Sequence, residues 1–253
     1  MIAMACRDMT EGNLVCEAIK RESANPQIEV LNLDLASLTS IRDFAKLFTQ
    51  KYQQLNVLIN NAGVFSMSRK ETRDGFEKTM GTNYLGPFLL TNLLLPLITQ
   101  TPEARIINVS SNAHFHGQVD LRNLNLENKY RGFKAYASSK LAIVFFTLEL
   151  TERLKDTGIT VNALHPGHTA TNMWEIWPGK WYQGMFRKIT KLFMISPEES
   201  AQTIIYLANS EEVNGITGKY FDKRKSRNVS NKCTDIQLRK NLWQLSENLT
   251  GLA

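Results

Sequence analysis

The stretch Val57-Leu58-Ile59-Asn60-Asn61-Ala62-Gly63 is a short apolar run that leads directly into two amides and a glycine. The apolar part predicts a short strand, and similar runs recur along the chain between longer segments with helical periodicity. The predicted strands are residues 2–6, 28–33, 57–59, 105–109, 159–164 and 219–221. The predicted helices are residues 10–22, 37–53, 74–98, 133–155, 197–208 and 234–249. Such alternation favours an α/β fold with helices on both faces of a doubly wound parallel sheet.

Several predicted helices carry start or stop signals. Thr10 is a candidate N-cap of the first helix, and Ser196 followed by Pro197 is a typical helix start. Gly158 follows the long helix at 133–155 and is a typical stop signal. The ligand-binding edge of such a sheet lies at the carboxyl ends of its strands, so we expect the chemistry there.

Length and composition favour one globular domain over residues 1–253. With 43% hydrophobic and 21% charged residues, the chain is neither disordered nor collagen-like. Its three cysteines form no disulfide framework and no metal-binding spacing, so we expect no metal and an intracellular setting. No apolar run is long enough to span a membrane.

The net charge of +6 is concentrated near the C-terminus. Residues 219–240 contain eight basic and two acidic side chains, which accounts for the whole excess. We therefore expect a basic C-terminal extension over 222–253 rather than a nucleic-acid-binding surface. Such a stretch forms either a solvated face or a contact with an anionic membrane or partner.

Tyr136, Lys140 and Ser111 form the candidate catalytic group. Tyr136 and Lys140 lie four residues apart in a predicted helix and share one face, while Ser111 follows the strand at 105–109. A nearby ammonium favours the phenolate and lowers the pKa of a tyrosine, and a serine hydroxyl can hold a substrate oxygen. The three could transfer a proton between a carbonyl and an alcohol. The alternative is an ordinary helix-face pair with an ordinary loop serine.

Several motifs in order resemble the short-chain dehydrogenase/reductase family, whose fold is Rossmann-like. The motifs are Ala5-Cys6-Arg7-Asp8, Leu33-Asp34-Leu35, Asn60-Asn61-Ala62-Gly63, Asn83-Tyr84-Leu85-Gly86-Pro87-Phe88, Asn108-Val109-Ser110-Ser111, Tyr136-Ala137-Ser138-Ser139-Lys140 and His165-Pro166-Gly167. The long gap between Ser111 and Tyr136, together with Ala113-His114, is similar to the retinol-dehydrogenase-like branch. The resemblance covers nearly the whole chain.

The resemblance implies a role for each residue of the catalytic group. Tyr136 would be the general acid/base, Lys140 would lower its pKa and hold the nicotinamide ribose, and Ser111 would bind the substrate oxygen. Asn83 would bend its helix and anchor a water that relays protons to Lys140; the alternative is a plain polar residue of a helix.

The resemblance also implies a nicotinamide cofactor. The residues that would bind it are Arg7, Asp34, Leu35, Asn61, Ala62, Gly63, Tyr136, Lys140, Pro166, Gly167, Thr169 and Thr171. Thr169 is equally well explained as a helix N-cap. Because a guanidinium at Arg7 can pair with a 2′-phosphate, NADP(H) is favoured over NAD(H), although the neighbouring Asp8 points the other way.

The chain departs from the family pattern at its start. The family places a strand, a Thr-Gly-x-x-x-Gly-x-Gly turn and a helix before the strand at 2–6, and that strand would lie between those at 2–6 and 57–59. The first glycine here is Gly12, within a predicted helix. The turn normally binds the pyrophosphate, so we expect an N-terminally truncated family member that binds dinucleotide weakly or not at all.

Residues 172–195 correspond to the substrate lid of the family. Trp174, Trp177 and Trp181 open this segment, which favours a small apolar carbonyl or alcohol, such as a retinoid, a steroid or another lipid. Its basic amphipathic character also suits a membrane surface, in the cytoplasm or at the endoplasmic reticulum by resemblance, whereas the alternative is packing of the lid on the body.

These observations predict an NADP(H)-dependent oxidoreductase that acts on an apolar carbonyl or alcohol. The alternative is a non-catalytic truncated family member that serves as an interaction or regulatory fragment. The catalytic group favours the enzyme, and the missing glycine turn favours the fragment.

Overall fold

The computed structural model describes residues 1–127, 129–167 and 196–252. Its strands are β1 (Ile2–Cys6), β2 (Ile28–Asn32), β3 (Val57–Asn60), β4 (Arg105–Val109), β5 (Thr160–His165), β6 (Tyr220–Asp222) and β7 (Lys225–Arg227). Its α-helices are α1 (Met9–Ser23), α2 (Leu38–Lys51), α3 (Lys78–Met80), α4 (Gly86–Thr99), α5 (Gly132–Arg153), α6 (Pro197–Asn209) and α7 (Ile236–Thr250). A π-helical turn, Gly81–Leu85, joins α3 to α4.

The described strands form two sheets rather than one. Strands β1 and β2 pair in parallel with each other, and the remaining five have the order β3-β4-β5-β6-β7. Among the described residues, neither β1 nor β3 has a second neighbour, and Ile59 of β3 is 40% exposed. The division lies between β1 and β3, which are the two strands between which the family pattern places a further strand.

The larger sheet is covered on both faces. A large core cluster includes Phe88 of α4, Phe146 of α5 and Trp243 of α7, whose rings pack together at centroid distances of 4.9 to 5.7 Å. A smaller cluster joins Leu207 of α6 to Val109 and Leu164 of the strands. This two-sided burial agrees with the near-complete burial of β4 and β5, whose few polar side chains therefore need partners within the protein.

The predicted helices are present, with two differences at their ends. Ser196 caps α6 as predicted, because its hydroxyl accepts a hydrogen bond from the amide of Glu199. The cap of α1 is Asp8 and not Thr10, since the Asp8 carboxylate accepts hydrogen bonds from the amides of Thr10 and Glu11. The predicted helix at 74–98 begins later, at Lys78.

The sequence pattern did not predict strand β7. It pairs antiparallel with β6 through the two-residue turn Lys223-Arg224, whose φ values are +51° and +61°. Two successive positive φ angles are typical of a hairpin turn, for which glycine and asparagine are the usual signals. Two basic residues occupy the turn instead, so the hairpin lies within the basic stretch.

A chain of buried amides and hydroxyls connects β3 and β4 to α4 and α5. Asn60 Nδ2 donates to Asn108 Oδ1 at 2.8 Å and to Thr91 Oγ1 at 3.0 Å. Asn108 Nδ2 donates in turn to Thr147 Oγ1 at 2.9 Å. Since these side chains are all buried, each depends on the others for its hydrogen bonds.

Replacement of Asn108 by alanine should therefore destabilise the fold. The Asn108→Ala variant removes one of the two acceptors of the Asn60 amide and the donor to the Thr147 hydroxyl, while Asn60 keeps Thr91 and Thr147 keeps the Ile143 carbonyl. The buried N–H left unsatisfied on Asn60 should lower the free energy of unfolding by about 1–3 kcal/mol. Chemical denaturation should show a lower midpoint with an unchanged slope. Asn248→Ala, at an exposed position, is the control and should leave the midpoint in place. Equal midpoints for the two variants would contradict a structural role for the chain of amides.

Candidate active site

The structure brings Ser111, Tyr136 and Lys140 together. Ser111 lies two residues after the end of β4, and Tyr136 and Lys140 lie one turn apart on α5. A side-chain hydrogen bond joins Ser111 to Tyr136, and Lys140 Nζ is 5.6 Å from the centroid of the Tyr136 ring. The three predicted catalytic side chains thus form one contiguous polar group at the carboxyl end of β4.

Burial controls the titration of this group. Burial raises the pKa of Tyr136 above its ordinary value, and the hydrogen bond from Ser111 only partly opposes the rise. This rise is opposite to the lowering of the Tyr136 pKa by Lys140 that we expected from the sequence. Burial also lowers the pKa of Lys140 from 10.5 to about 8. In this structure desolvation is the largest cause of both pKa shifts.

Two consecutive residues at the end of β4 hold Lys140. Its Nζ donates to the carbonyl of Val109 at 2.9 Å, and its own carbonyl accepts a hydrogen bond from Ser110 Oγ at 2.8 Å. The side of Lys140 that faces β3 is close to Gly63, where an added Cβ would lie 3.4 Å from Nζ. Of three N–H donors on the ammonium, one is used by Val109 within the described part of the chain. A diol such as a ribose would suit the others.

Asn83 connects the end of β3 to the catalytic helix. Its Oδ1 accepts from the amide of Val64 at 2.7 Å, and its Nδ2 donates to the Val64 carbonyl at 2.9 Å and to Ser139 Oγ at 3.1 Å. Ser139 Oγ donates onward to the carbonyl of Tyr136 at 2.8 Å. A π-helical turn, Gly81–Leu85, surrounds Asn83, at the place where the resemblance implied a bend of the helix. A water relay through Asn83 stays a prediction.

The predicted cofactor residues lie at the carboxyl ends of four strands. Asn61, Ala62 and Gly63 are exposed directly after β3, while Pro166 and Gly167 are half-buried after β5, with a φ of +92° at Gly167. Glycine alone adopts such a φ readily, which explains why a glycine occupies position 167.

Arg7, Asp34 and Leu35 follow the strands of the smaller sheet. Arg7 is exposed, and its carbonyl accepts a hydrogen bond from Asn32. Asp34 is half-buried and accepts a hydrogen bond from the amide of Ala36 at 2.9 Å. The carbonyl of Leu35 lies where a side chain on Gly86 would be, so this stretch packs directly on the start of α4.

Two predicted cofactor residues and one predicted segment lie outside the described residues. They are Thr169, Thr171 and the lid at 172–195. Across the part of the chain that the structure does describe, no helix combines the length and the apolar character needed to cross a membrane.

Two contributors to the site could not be found from sequence patterns. Phe65 meets the Tyr136 ring edge-on, with centroids 5.7 Å apart, and forms an apolar wall beside the phenol. His114 is fully buried and bonds to the main chain of Ser111. Phe65 lies in an irregular segment and His114 in a short 3₁₀ turn, where periodicity gives no signal. The only clue to His114 was its place after the serine in the resemblance to the retinol-dehydrogenase-like branch.

Comparison with known proteins places this arrangement in a family. The sequence profile described as short chain dehydrogenase matches residues 2–179. Retinol dehydrogenase 13 of Mus musculus is 41% identical over 262 residues, an alignment that covers 100% of this chain and 77% of the relative. Retinol dehydrogenase 14 of Homo sapiens is 39% identical over 265 residues, covering 99% of this chain and 79% of the relative.

Solved structures agree on the fold. The crystal structure of an uncharacterized protein from Mycobacterium Paratuberculosis has a TM-score of 0.77 and 33% sequence identity, and the match covers 98% of this chain and 83% of that one. A short chain dehydrogenase from Escherichia coli CFT073 complexed with NADPH has a TM-score of 0.66 at 19% identity, with 88% and 85% coverage. Residues, geometry and relatives agree, and this chain belongs to the short-chain dehydrogenase family, within which it is retinol-dehydrogenase-like.

Proposed function

We propose that this oxidoreductase interconverts an apolar carbonyl compound and its alcohol with NADP(H), with Tyr136 as the general acid/base. The observation that carries the proposal is the contact of Ser111, Tyr136 and Lys140 at the carboxyl end of β4. Proton transfer to a carbonyl oxygen needs a donor that is protonated at neutral pH and fixed in place. The raised pKa of Tyr136 keeps its hydroxyl protonated, so the site suits carbonyl reduction.

Ser111 orients the substrate oxygen. Its Oγ accepts a hydrogen bond from the amide of Ala113 at 3.2 Å, which fixes the oxygen and leaves the hydroxyl hydrogen free to point towards the substrate or Tyr136. Because Ser111 also bonds to Tyr136, one substrate oxygen can contact both hydroxyls. The reaction then needs only a hydride carrier, which is the chemistry that a nicotinamide cofactor supplies when bound.

The residues present fit the ribose end of such a cofactor. Lys140 offers buried N–H donors beside the exposed backbone at 61–63, and the absence of a side chain at Gly63 keeps this approach open. Arg7 supports NADP(H) over NAD(H), because its guanidinium is exposed. The Asp8 carboxylate, whose charge would favour the free 2′-hydroxyl of NAD(H), is engaged as the cap of α1.

Aromatic side chains around the catalytic group support an apolar substrate. Phe65 contacts Tyr136, while Phe115 and Phe133, which are 44% and 53% exposed, follow Ser111 and precede Tyr136 in the chain. The contact of Phe65 gives the catalytic group an apolar neighbour, as is typical of a site that binds an apolar molecule. The relatives named retinol dehydrogenases make a retinoid the first substrate to test. Contact with a membrane surface through the segment 172–195 remains part of the proposal.

A non-catalytic role is the second candidate, favoured by the division of the sheet. Arg7 and Asp34 follow the smaller sheet, whereas the catalytic group belongs to the larger one. A fragment with the surface of the family but without turnover would have these properties.

Replacement of the Tyr136 hydroxyl tests the mechanism and separates the two candidates. Tyr136→Phe should lower kcat for retinal reduction by about 100- to 10,000-fold, because the proton donor is lost. The Kd for NADPH, measured by fluorescence titration, should change little. Tyr206→Phe on α6 is the matched control and should retain activity. If Tyr136→Phe is as active as the wild type, the mechanism is wrong; an inactive wild type favours the non-catalytic role.

Replacement of Arg7 tests the choice of cofactor. Arg7→Ala should weaken NADPH binding by about 10- to 100-fold while NADH binding stays constant, since one charge-assisted hydrogen bond to the 2′-phosphate is lost. Arg21→Ala, an exposed arginine on α1, serves as the control. An unchanged ratio of the two affinities in Arg7→Ala would show that Arg7 does not read the 2′-phosphate.

Removal of the buried charge should stabilise the protein. The pKa of Lys140 is about 8 in the folded protein against 10.5 ordinarily, so burial of the ammonium costs stability fully below pH 8. The cost fades between pH 8 and 10.5, where the unfolded chain binds more protons. Lys140→Met should therefore raise the free energy of unfolding at pH 7 by up to about 3 kcal/mol.

Thermal unfolding between pH 7 and 10.5 measures this effect. The gain in Lys140→Met should shrink steadily over the upper part of that range. Lys134→Met, at an exposed position of the same helix, should show neither the gain nor the pH dependence. If the gain in stability is the same at every pH, then better packing of the methionine, and not removal of the charge, stabilises Lys140→Met.

A further inference from the structure

The carbonyl of Ser111 receives two hydrogen bonds from one residue. The backbone amide of His114 donates to it at 3.0 Å, and the imidazole Nδ1 lies 2.8 Å from the same oxygen. These bonds close the short 3₁₀ turn Asn112–His116 that begins directly after Ser111. Since the Ser111 hydroxyl also caps this turn, the turn determines where the hydroxyl points.

The geometry around His114 allows only one protonation state. A carbonyl oxygen accepts, so Nδ1 carries the proton towards Ser111. Nε2 must then accept, and it receives the amide N–H of Ser230 at 3.2 Å. A charged imidazolium would place two donors against each other at Ser230. Burial of the ring against Tyr220 agrees with the neutral form, because it lowers the pKa of His114.

Ser230 comes from a distant part of the chain. It is 116 residues away from His114 in sequence and caps a second 3₁₀ turn, Asn231–Thr234, just before α7. From this turn, Lys232 Nζ donates to the carbonyl of Gly117 at 2.6 Å. The C-terminal turn therefore contacts the serine turn at His114, at the carbonyl of Phe115 and at the carbonyl of Gly117 that follows the turn.

The opposite side of the serine turn rests on the catalytic helix. At Gly117 any side chain would clash with the carbonyl of Ala137, the residue after Tyr136. The amide of Gln118 donates to Ser138 Oγ at 3.2 Å. The serine turn is thus held between α5 and the C-terminal turn, so displacement of either support would move Ser111 relative to Tyr136.

We propose that the segment 230–234 clamps the serine turn and that His114 is a positioning residue, which transmits this clamp to Ser111. The stretch before α7 is then part of the active-site architecture rather than a basic extension beside it. The kinetic part of this inference rests on the proposed function, whereas the contact itself can be tested without any substrate.

Ser230→Pro removes the donor at the centre of the contact. The φ of Ser230 is −54°, which a proline can adopt, so the change deletes the N–H with little disturbance of the local backbone. Ser230→Ala is the matched control, because it loses the same hydroxyl cap and keeps the N–H. Hydrogen exchange of the cofactor-free protein should become at least about 10-fold faster over residues 112–118 in Ser230→Pro but not in Ser230→Ala.

Two variants of His114 test the positioning role. His114→Phe keeps a ring but loses both polar contacts, and His114→Gln retains a carbonyl that can accept from Ser230. We expect kcat for retinal reduction to fall by about 10- to 100-fold in His114→Phe, with partial recovery in His114→Gln and an unchanged KM for NADPH. The protection of the amides of residues 231–234 from hydrogen exchange should also fall most in His114→Phe and partly recover in His114→Gln.

The exchange and kinetic results each either support or overturn the proposed clamp. The inference is overturned if exchange over 112–118 is the same in Ser230→Pro and Ser230→Ala, or if His114→Phe loosens its own turn while 231–234 stays protected. It is also overturned if kcat stays at the wild-type value in His114→Phe. A wild type without turnover refutes the proposed function alone, since coupled exchange between the two turns would still support the clamp.

Discussion

A positive charge buried at the meeting point of three backbone segments is the constraint around which this protein is built. Lys140 is 4% exposed, and burial lowers its pKa to about 8, so its placement costs free energy. The carbonyl of Val109 at the end of β4 offsets part of this cost by accepting a hydrogen bond from Nζ. On another side, Gly63 has no side chain to cover the ammonium. The end of β4, the turn after β3 and the middle of α5 must therefore stay in register for the charge to be tolerated.

Polar side chains in otherwise apolar layers maintain this register. Asn60 and Asn108 link the two strands, and Asn83 joins the turn after β3 to α5 through Ser139. An apolar core tolerates small sliding of its elements, whereas a chain of buried hydrogen bonds does not, because any slip leaves a donor or acceptor unsatisfied. The same bonds that stabilise the sheet thus hold α5, which carries Tyr136 and Lys140, in place against β3 and β4.

Sequence patterns predicted the elements well and their long-range contacts poorly. The strands, the long catalytic helix and the bend at Asn83 follow from periodicity and from recognisable motifs, which are local signals. The capping role of Asp8 and strand β7 were missed, because a cap is decided by geometry within one turn and the turn Lys223-Arg224 lacks the usual residues. The partnership of His114 with Ser230 joins segments 116 residues apart, and no local pattern encodes it.

The two halves of the site depend on different parts of the fold. Ser111, Tyr136 and Lys140 belong to the five-stranded sheet and its helix, where a ladder of backbone hydrogen bonds fixes their spacing. Arg7 belongs to the β1–β2 pair, which within the described residues shares no backbone ladder with β3. The spacing between Arg7 and Lys140 is therefore less constrained than the spacing within the catalytic group. In the proposed function a dinucleotide contacts both residues, and its binding would then have to supply the free energy that orders them, whereas the spacing within the catalytic group is already set by the fold.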